Sequence, residues 1–136
     1  MTKLTFASAV VFGDDFSPAE AEQATGLTFD SAHERGQVYH ERGRFRGKPW
    51  PFGHAVLKAP PEVDSHDKLP WLLDAILPHA ETLRQLGVTY GKIHVSYAHD
   101  QQCNLDFEPS LVADLARLGW NFCVSCYEDE DEFPES

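Results

Sequence analysis

The stretch LPWLLDAILPHAETLRQLGVTYGKIHVSYA, residues 69–98, decides the fold, because its apolar spacing changes from that of a helix to that of a strand. From Tyr90 to Ala98 apolar and polar residues alternate, which predicts a β-strand. Before it, Gly87 ends a helix that Pro78 must kink or split in two. The helix is predicted from one apolar stripe at helical spacing, made of Leu69, Leu72, Leu73, Ile76, Leu77, Ala80, Leu83 and Leu86.

Shorter elements on both sides complete an α+β pattern. Ser17-Pro18-Ala19-Glu20 has the residues of a helix N-terminus, with Ser at the cap and Glu three positions later. The predicted order β-α-β-β-α-β-α-β indicates a single mixed or antiparallel sheet with helices packed on one face, in ferredoxin-like order with an added helix and strand. The elements outside residues 69–98 are Leu4–Phe12 as a central strand, Pro18–Thr25, Leu27–His33, His54–Ala59, Pro109–Leu118 and Trp120–Tyr127.

Length and charge limit the classes of protein. The chain has 136 residues, one domain's worth, and we expect a single domain over residues 1–127. Its apolar runs fall short of a membrane helix, and we expect a cytoplasmic protein. The net charge of −11 disfavours nucleic-acid binding. Six acids and no base lie within residues 128–136, which we expect to be a disordered acidic tail.

The three cysteines do not form a recognisable disulfide framework. An odd number without a secretory signal argues against one. Cys123 and Cys126 match C-x-x-C, but they lie in the strand predicted over Trp120–Tyr127. Residues three apart on a strand point to opposite faces. We therefore expect the two thiols to diverge and to form neither a redox pair nor a zinc site.

Catalytic and metal-binding patterns are weak. The chain has no G-x-S-x-G elbow and no phosphate-binding glycine loop. We therefore predict no catalytic residue, no metal site and no cofactor. One alternative stays open: a metal- or small-molecule-binding cleft, or an enzyme site, formed by His94, His99, Asp100 and Cys103 near the end of a strand.

The segment Arg42–Phe52 mixes cations with aromatic residues. Such a run can stack bases and contact phosphates, which makes RNA binding a second alternative. Arg and Trp are also favoured anchors of protein interfaces. The plainest interpretation is a long loop whose Trp50 and Phe52 plug the edge of the core. Asp14 and Asp15 also allow two interpretations: a functional acidic pair, or a turn whose charge complements the dipole of the following helix.

The chain resembles the bacterial domain-of-unknown-function family 4279 (DUF4279). The resemblance rests on Phe12-Gly-Asp-Asp-Phe-Ser-Pro18 followed by Gly26-Leu-Thr28, on the leucine helix Leu69–Leu86, and on Pro109-Ser-Leu111 to Leu118-Gly119 with the closing Tyr127. It covers nearly the whole chain and implies the same fold. The segment Arg35–Phe52 is longer and more basic than the family pattern, and the acidic tail also departs from it. Because the family has no established activity, the resemblance implies no site residue.

Size and acidity then suggest a function by analogy. Small acidic single-domain proteins include immunity partners of bacterial toxins. We expect a non-catalytic protein-binding module of this type that masks a basic toxin domain, with nucleic acid and membrane as unlikely partners. The predicted partner-binding residues are Asp14, Asp15, Trp50, Glu128, Asp129, Glu130 and Asp131.

Overall fold

The computed structural model describes residues 2–38 and 47–128. Five strands form its sheet: β1 (Lys3–Gly13), β2 (Ser31–His33), β3 (Gly53–Lys58), β4 (Tyr90–His99) and β5 (Asn121–Glu128). The α-helices are α1 (Pro18–Thr25), α2 (Lys68–Ile76), α3 (Ala80–Gln85) and α4 (Pro109–Leu118). No helix in the described ranges is long and apolar enough to cross a membrane.

The sheet has the order β2-β3-β1-β4-β5, so β1 is central as predicted. The pairs β2–β3, β1–β3 and β1–β4 are antiparallel, whereas β4–β5 is parallel. A parallel neighbour needs a crossover connection, and α4 supplies it. The predicted α+β class with one mixed sheet is confirmed.

The helices pack on one face of the sheet. Along β1, every second side chain is buried against them, including Ala7, Ala9 and Val11. Leu72 and Ile76 of α2 are fully buried on the same side. Because only this face is covered by helices, the other face of the sheet, called here the open face, carries its own side chains: Phe6, Ser8, Val10, Phe12, Ser31, His33, His54, Val56, Lys58, Tyr90, Lys92, His94, Ser96, Asn121, Cys123, Ser125 and Tyr127.

Pro78 splits the predicted leucine helix in two. Helix α2 ends at Ile76, a 3₁₀ turn spans Leu77–His79, and α3 continues to Gln85. Proline has no N–H for the helical ladder and its ring crowds the preceding turn, so the α-helical pattern stops there. The apolar stripe nevertheless continues, and Leu83 of α3 is fully buried.

Strand β2 is shorter than predicted. We expected a strand over Leu27–His33, but the structure has only Ser31–His33. The reason is that the backbone N–H of Phe29 donates to the Glu22 carboxylate of α1 at 2.9 Å instead of joining the sheet ladder. The chain joins β3 only at Asp30, whose backbone N–H donates to the Val56 carbonyl at 2.8 Å. Phe29 remains buried.

Trp120 fixes the junction of α4 and β5 on the sheet. Gly91 of β4 lies directly under its indole, and a Cβ at this glycine would come within 2.3 Å of the ring. Gly119 ends α4 in the left-handed conformation, with φ of 74°, which glycine adopts without steric cost. Together these two glycines let the chain turn sharply and place α4 beside α2.

Candidate functional site

A groove of about 880 Å³ runs between α2, α4 and the amino end of β1, and we call it the α2–α4 groove. This volume is in the range of natural ligand-binding sites. Three distant parts of the chain form it, because β1, the 3₁₀ turn Ser65–Asp67 and the segment that precedes α4 meet at one end of the sheet. The lining residues are Thr2, Lys3, Leu4, Ser65, His66, Leu69, Pro70, Leu73, Asp74, Tyr97, Asp106, Phe107, Glu108, Ser110, Leu111 and Asp114.

The floor of the groove is apolar. Leu4, Leu69 and Leu73 are buried members of the main core. Phe107 and Leu111 are half-buried beside them, and the Phe107 ring meets the edge of Phe122 at a centroid distance of 5.4 Å. A floor that is part of the core is held in place by packing, so the groove is preformed.

Tyr97 adds one polar group to this floor. Burial raises the pKa of its hydroxyl, and the nearby thiols of Cys103 and Cys126 raise the pKa further. The phenol therefore stays protonated at neutral pH and can donate a hydrogen bond to an occupant of the groove.

The rim of the groove is acidic. Asp74 of α2 and Asp106 and Glu108 before α4 are exposed, and Asp114 of α4 is partly buried. Asp114 already accepts from Arg117 at 3.3 Å, so the rim has three further carboxylates that are exposed to solvent. Lys3 is the one lysine among the lining residues. An apolar floor inside an acidic rim suits a ligand whose apolar groups contact the floor and whose cationic groups reach the rim.

The predicted residues Asp14 and Asp15 lie at the other end of the sheet. They follow β1 directly, whereas the groove contains the first residues of β1. At about 3.3 Å per residue, the length of that strand separates the two places by roughly 30 Å. Arg35 also offsets the acidic pair, since its guanidinium lies 3.8 Å from the Asp15 carboxylate and donates to the Asp14 carbonyl.

Trp50 lies at this same end, on the open face. Its indole stacks on His33 at a centroid distance of 4.2 Å and on His54 at 5.1 Å. Next to it, Phe12 is stacked between Phe52 and Tyr90. Burial lowers the pKa of His54, and the neighbouring His33 lowers it further. Trp50 thus covers both imidazoles, which agrees with the interpretation of an edge plug.

Of the predicted tail residues, Glu128 lies at the groove end of the molecule. Glu128 is the last residue of β5 and lies level with His99 of β4. Lys3 pairs with Ala98 at this same end. Asp129, Glu130 and Asp131 follow Glu128 in sequence and lie outside the described residues. The structure therefore separates the predicted binding residues into two groups and brings Glu128 to the end that holds the groove.

Of the alternative cleft residues His94, His99, Asp100 and Cys103, the structure places His94 and Cys103 on opposite faces of the sheet. His94 lies on the open face, where its Nε2 is 2.9 Å from the Ser125 hydroxyl. In the sheet His94 is paired with Cys123, and Cys126, three positions further along β5, faces the opposite side. Cys103 lies beside Cys126 and is therefore on the other face from His94. Within the described ranges, a group of three possible ligand residues with ligand atoms within 4.8 Å of one another is formed by Asp64, His66 and Asp67, which are all exposed.

The sequence interpretation missed the groove. Its acidic residues are spread over residues 74–114 and match no motif. A usable signal was that Asp74 lies in the helix with the apolar stripe and Asp114 in the helix predicted over Pro109–Leu118, where Leu111, Leu115 and Leu118 recur at helical spacing. Both helices therefore combine an apolar face with an acidic flank. Which two flanks meet depends on the sheet order, and this is a tertiary property.

The chain matches the family described as "Domain of unknown function (DUF4279)" over residues 2–129. No curated protein and no solved structure matches the chain. The matched range contains all five strands and the α2–α4 groove. The chain therefore belongs to the DUF4279 family.

Proposed function

We propose that this domain is a non-catalytic protein-binding module of the immunity type, which masks a basic partner domain by holding a cationic segment of it in the α2–α4 groove. The observation that carries the proposal is the combination of an apolar floor with the exposed carboxylates of Asp74, Asp106 and Glu108. A toxin nuclease is a partner of suitable chemistry, because a protein that contacts phosphates needs a basic surface.

Floor and rim contribute differently to such a complex. Burying apolar side chains of the partner against the half-buried Phe107 and Leu111 supplies most of the binding free energy. Each exposed ion pair on the rim adds only about 0.2–1 kcal/mol. The rim and the tail act mainly on encounter, because a negative field speeds association with a positive partner and is screened by salt. The chain's net charge of −11 has the right sign for this effect.

The two surfaces of the domain differ in charge, which favours the groove over the open face. The strand residues of the open face include Lys58 and Lys92 and no carboxylate. A basic partner is therefore attracted to the helix side and repelled by the strand side. This asymmetry also gives the complex a defined orientation.

RNA binding through Arg42–Phe52 is less well supported. The arginines Arg42, Arg44 and Arg46 lie outside the described residues. Trp50 and Phe52 place ring faces on other rings of the same chain, and a base needs such faces free in order to stack. The overall negative charge opposes phosphate binding as well. We therefore favour a protein partner.

The test compares two variants that remove the same charge from opposite ends. The groove variant is Asp74→Asn, Asp106→Asn, Glu108→Gln, and the matched control is Asp14→Asn, Asp15→Asn, Glu20→Gln. Tagged full-length proteins are incubated with a lysate of the source organism, and retained proteins are identified and quantified by mass spectrometry. The purified partner is then measured by surface plasmon resonance at two salt concentrations.

We expect one basic protein to be retained in stoichiometric amount by the wild type and by the control variant. Three rim pairs at about 0.2–1 kcal/mol each correspond to a loss of affinity of about 3- to 150-fold in the groove variant. Neutralising Asp129, Glu130 and Asp131 should slow association and leave dissociation unchanged. Equal retention by the two variants, or an acidic partner, contradicts the proposal.

A further inference from the structure

Two cysteines that are distant in sequence meet on the helix side of the sheet. The Sγ atoms of Cys103 and Cys126 are 3.2 Å apart, and both residues are free thiols. Cys103 lies in the irregular segment between β4 and α4, and Cys126 lies on the edge strand β5. The third cysteine, Cys123, points to the open face and is not part of this pair.

The surroundings allow the two sulfur atoms to come closer. A disulfide bond is about 2.05 Å long, so the thiols must approach by little more than 1 Å. Cys126 is exposed, and Cys103 is only partly covered. Residues 102–108 have no regular secondary structure, so a small displacement there breaks no helix or strand ladder. A peroxide molecule can also reach the pair from solvent.

We propose that Cys103 and Cys126 form an oxidation site at which a peroxide converts the two thiols into an intramolecular disulfide. Cys126 is the attacking thiol, because it accepts the S–H···S hydrogen bond that Cys103 donates and is the more exposed of the two. The same hydrogen bond raises the pKa of Cys103, which keeps its proton until the second step.

The reaction balances with hydrogen peroxide as the oxidant. In the first step the Cys126 thiolate attacks one peroxide oxygen, an S–O bond forms, the O–O bond breaks, and the leaving hydroxide becomes water on protonation. In the second step the Cys103 sulfur attacks the Cys126 sulfenic acid, the S–S bond forms, and the S–O bond breaks. The proton of Cys103 leaves with the hydroxide as a second water. The protein loses two electrons and two protons, and the peroxide gains them.

The disulfide would restrain the segment that precedes α4 at the groove end. It closes a ring from Cys103 to Cys126 that contains α4 and most of β5. The same ring includes Asp106 and Glu108 of the groove rim, so the segment that carries them becomes tied to the sheet edge. The inference does not depend on the proposed function, since it needs only the thiol geometry.

The experiment uses the full-length protein, reduced and then freed of reductant, with hydrogen peroxide as the probe. Free thiols are counted with a chromogenic disulfide reagent, and the intact mass is measured. We expect the thiol count to fall from three to one, with a mass loss of two hydrogens. The sequence has Arg117 between Cys103 and the other two cysteines, so trypsin separates the partners and non-reducing peptide mapping detects the link.

Single substitutions identify the pair. Cys123→Ser is the matched control and should still form the link at the wild-type rate, whereas Cys103→Ser and Cys126→Ser should not form it. Oxidised Cys123→Ser should melt roughly 7–14 °C higher than its reduced form, because a cross-link of this ring size restricts the unfolded chain. A link through Cys123, or oxidation of Cys126 to sulfinic acid with no link in the control, overturns the proposal.

Discussion

Gly91→Ala tests whether the contact between β4 and Trp120 places α4 at the groove. The added Cβ would lie 2.3–2.5 Å from three atoms of the Trp120 indole. Ordinary carbon contacts are about 3.5–4.0 Å, so the ring must move by more than 1 Å. Overpacking of this kind costs about 1–3 kcal/mol in unfolding free energy.

The measurement is a pair of urea titrations followed by circular dichroism. The titrations give the unfolding free energy directly. In a thermal melt the same cost should lower Tm by roughly 3–10 °C, because the unfolding entropy is about 2.1 cal/mol/K per residue. The control is the same substitution in a Trp120→Ala background, where the methyl group meets open space and its cost should largely disappear. If Gly91→Ala changes the unfolding free energy by less than about 0.5 kcal/mol, or costs the same in both backgrounds, the reasoning is wrong.

Three further predictions concern the open face and the core. Burial keeps the folded-state pKa of His54 below its ordinary value of 6.5, so the unfolded chain takes up a proton at this residue first as the pH falls. The free energy of unfolding should therefore decline below about pH 6.5. Melting curves between pH 5 and 8 should show a smaller decline for His54→Asn. Trp50→Ala should remove the stacking on His33 and cost about 1–3 kcal/mol in a urea titration, and a cost near zero would show that the ring is no plug. Leu72→Ala should cost about 2–5 kcal/mol because this side chain is fully buried, whereas Val112→Ala at a half-exposed position should cost less than about 0.5 kcal/mol in the same assay.

Much of the fold could be predicted because local patterns agree with it. The Ser17 hydroxyl accepts from the backbone N–H of Glu20, as the capping pattern predicts. Gly26 ends α1 with a φ of 78°, and α4 has the predicted bounds Pro109–Leu118. Each of these features depends on neighbours within a few residues, so the sequence alone contains the information.

The features that were missed depend on contacts across the chain. Strand β2 is short because a carboxylate of α1, Glu22, takes the N–H of Phe29, and no local pattern reveals that competition. Cys126 was compared only with its near neighbour Cys123, while its actual partner lies 23 residues away. The groove likewise needs α2 and α4 side by side, which follows from the sheet order and not from either helix.

For Trp50 the sequence supported two roles, and the structure shows contacts for one of them. The sequence interpretation offered it as a partner-binding anchor and as an edge plug. Its stacking on His33 and His54 gives it a structural contact on the open face. Its place is far from the α2–α4 groove, so our proposed binding surface does not include it.

The central claim is that a basic partner occupies the α2–α4 groove, and hydrogen–deuterium exchange of the full chain with and without the captured partner tests it most directly. We predict that the partner slows amide exchange in residues 65–74 and 106–114. Exchange in β3 and around Trp50 should stay unchanged. Protection of β3 and Trp50, with none in those two segments, would place the partner on the open face and contradict the account.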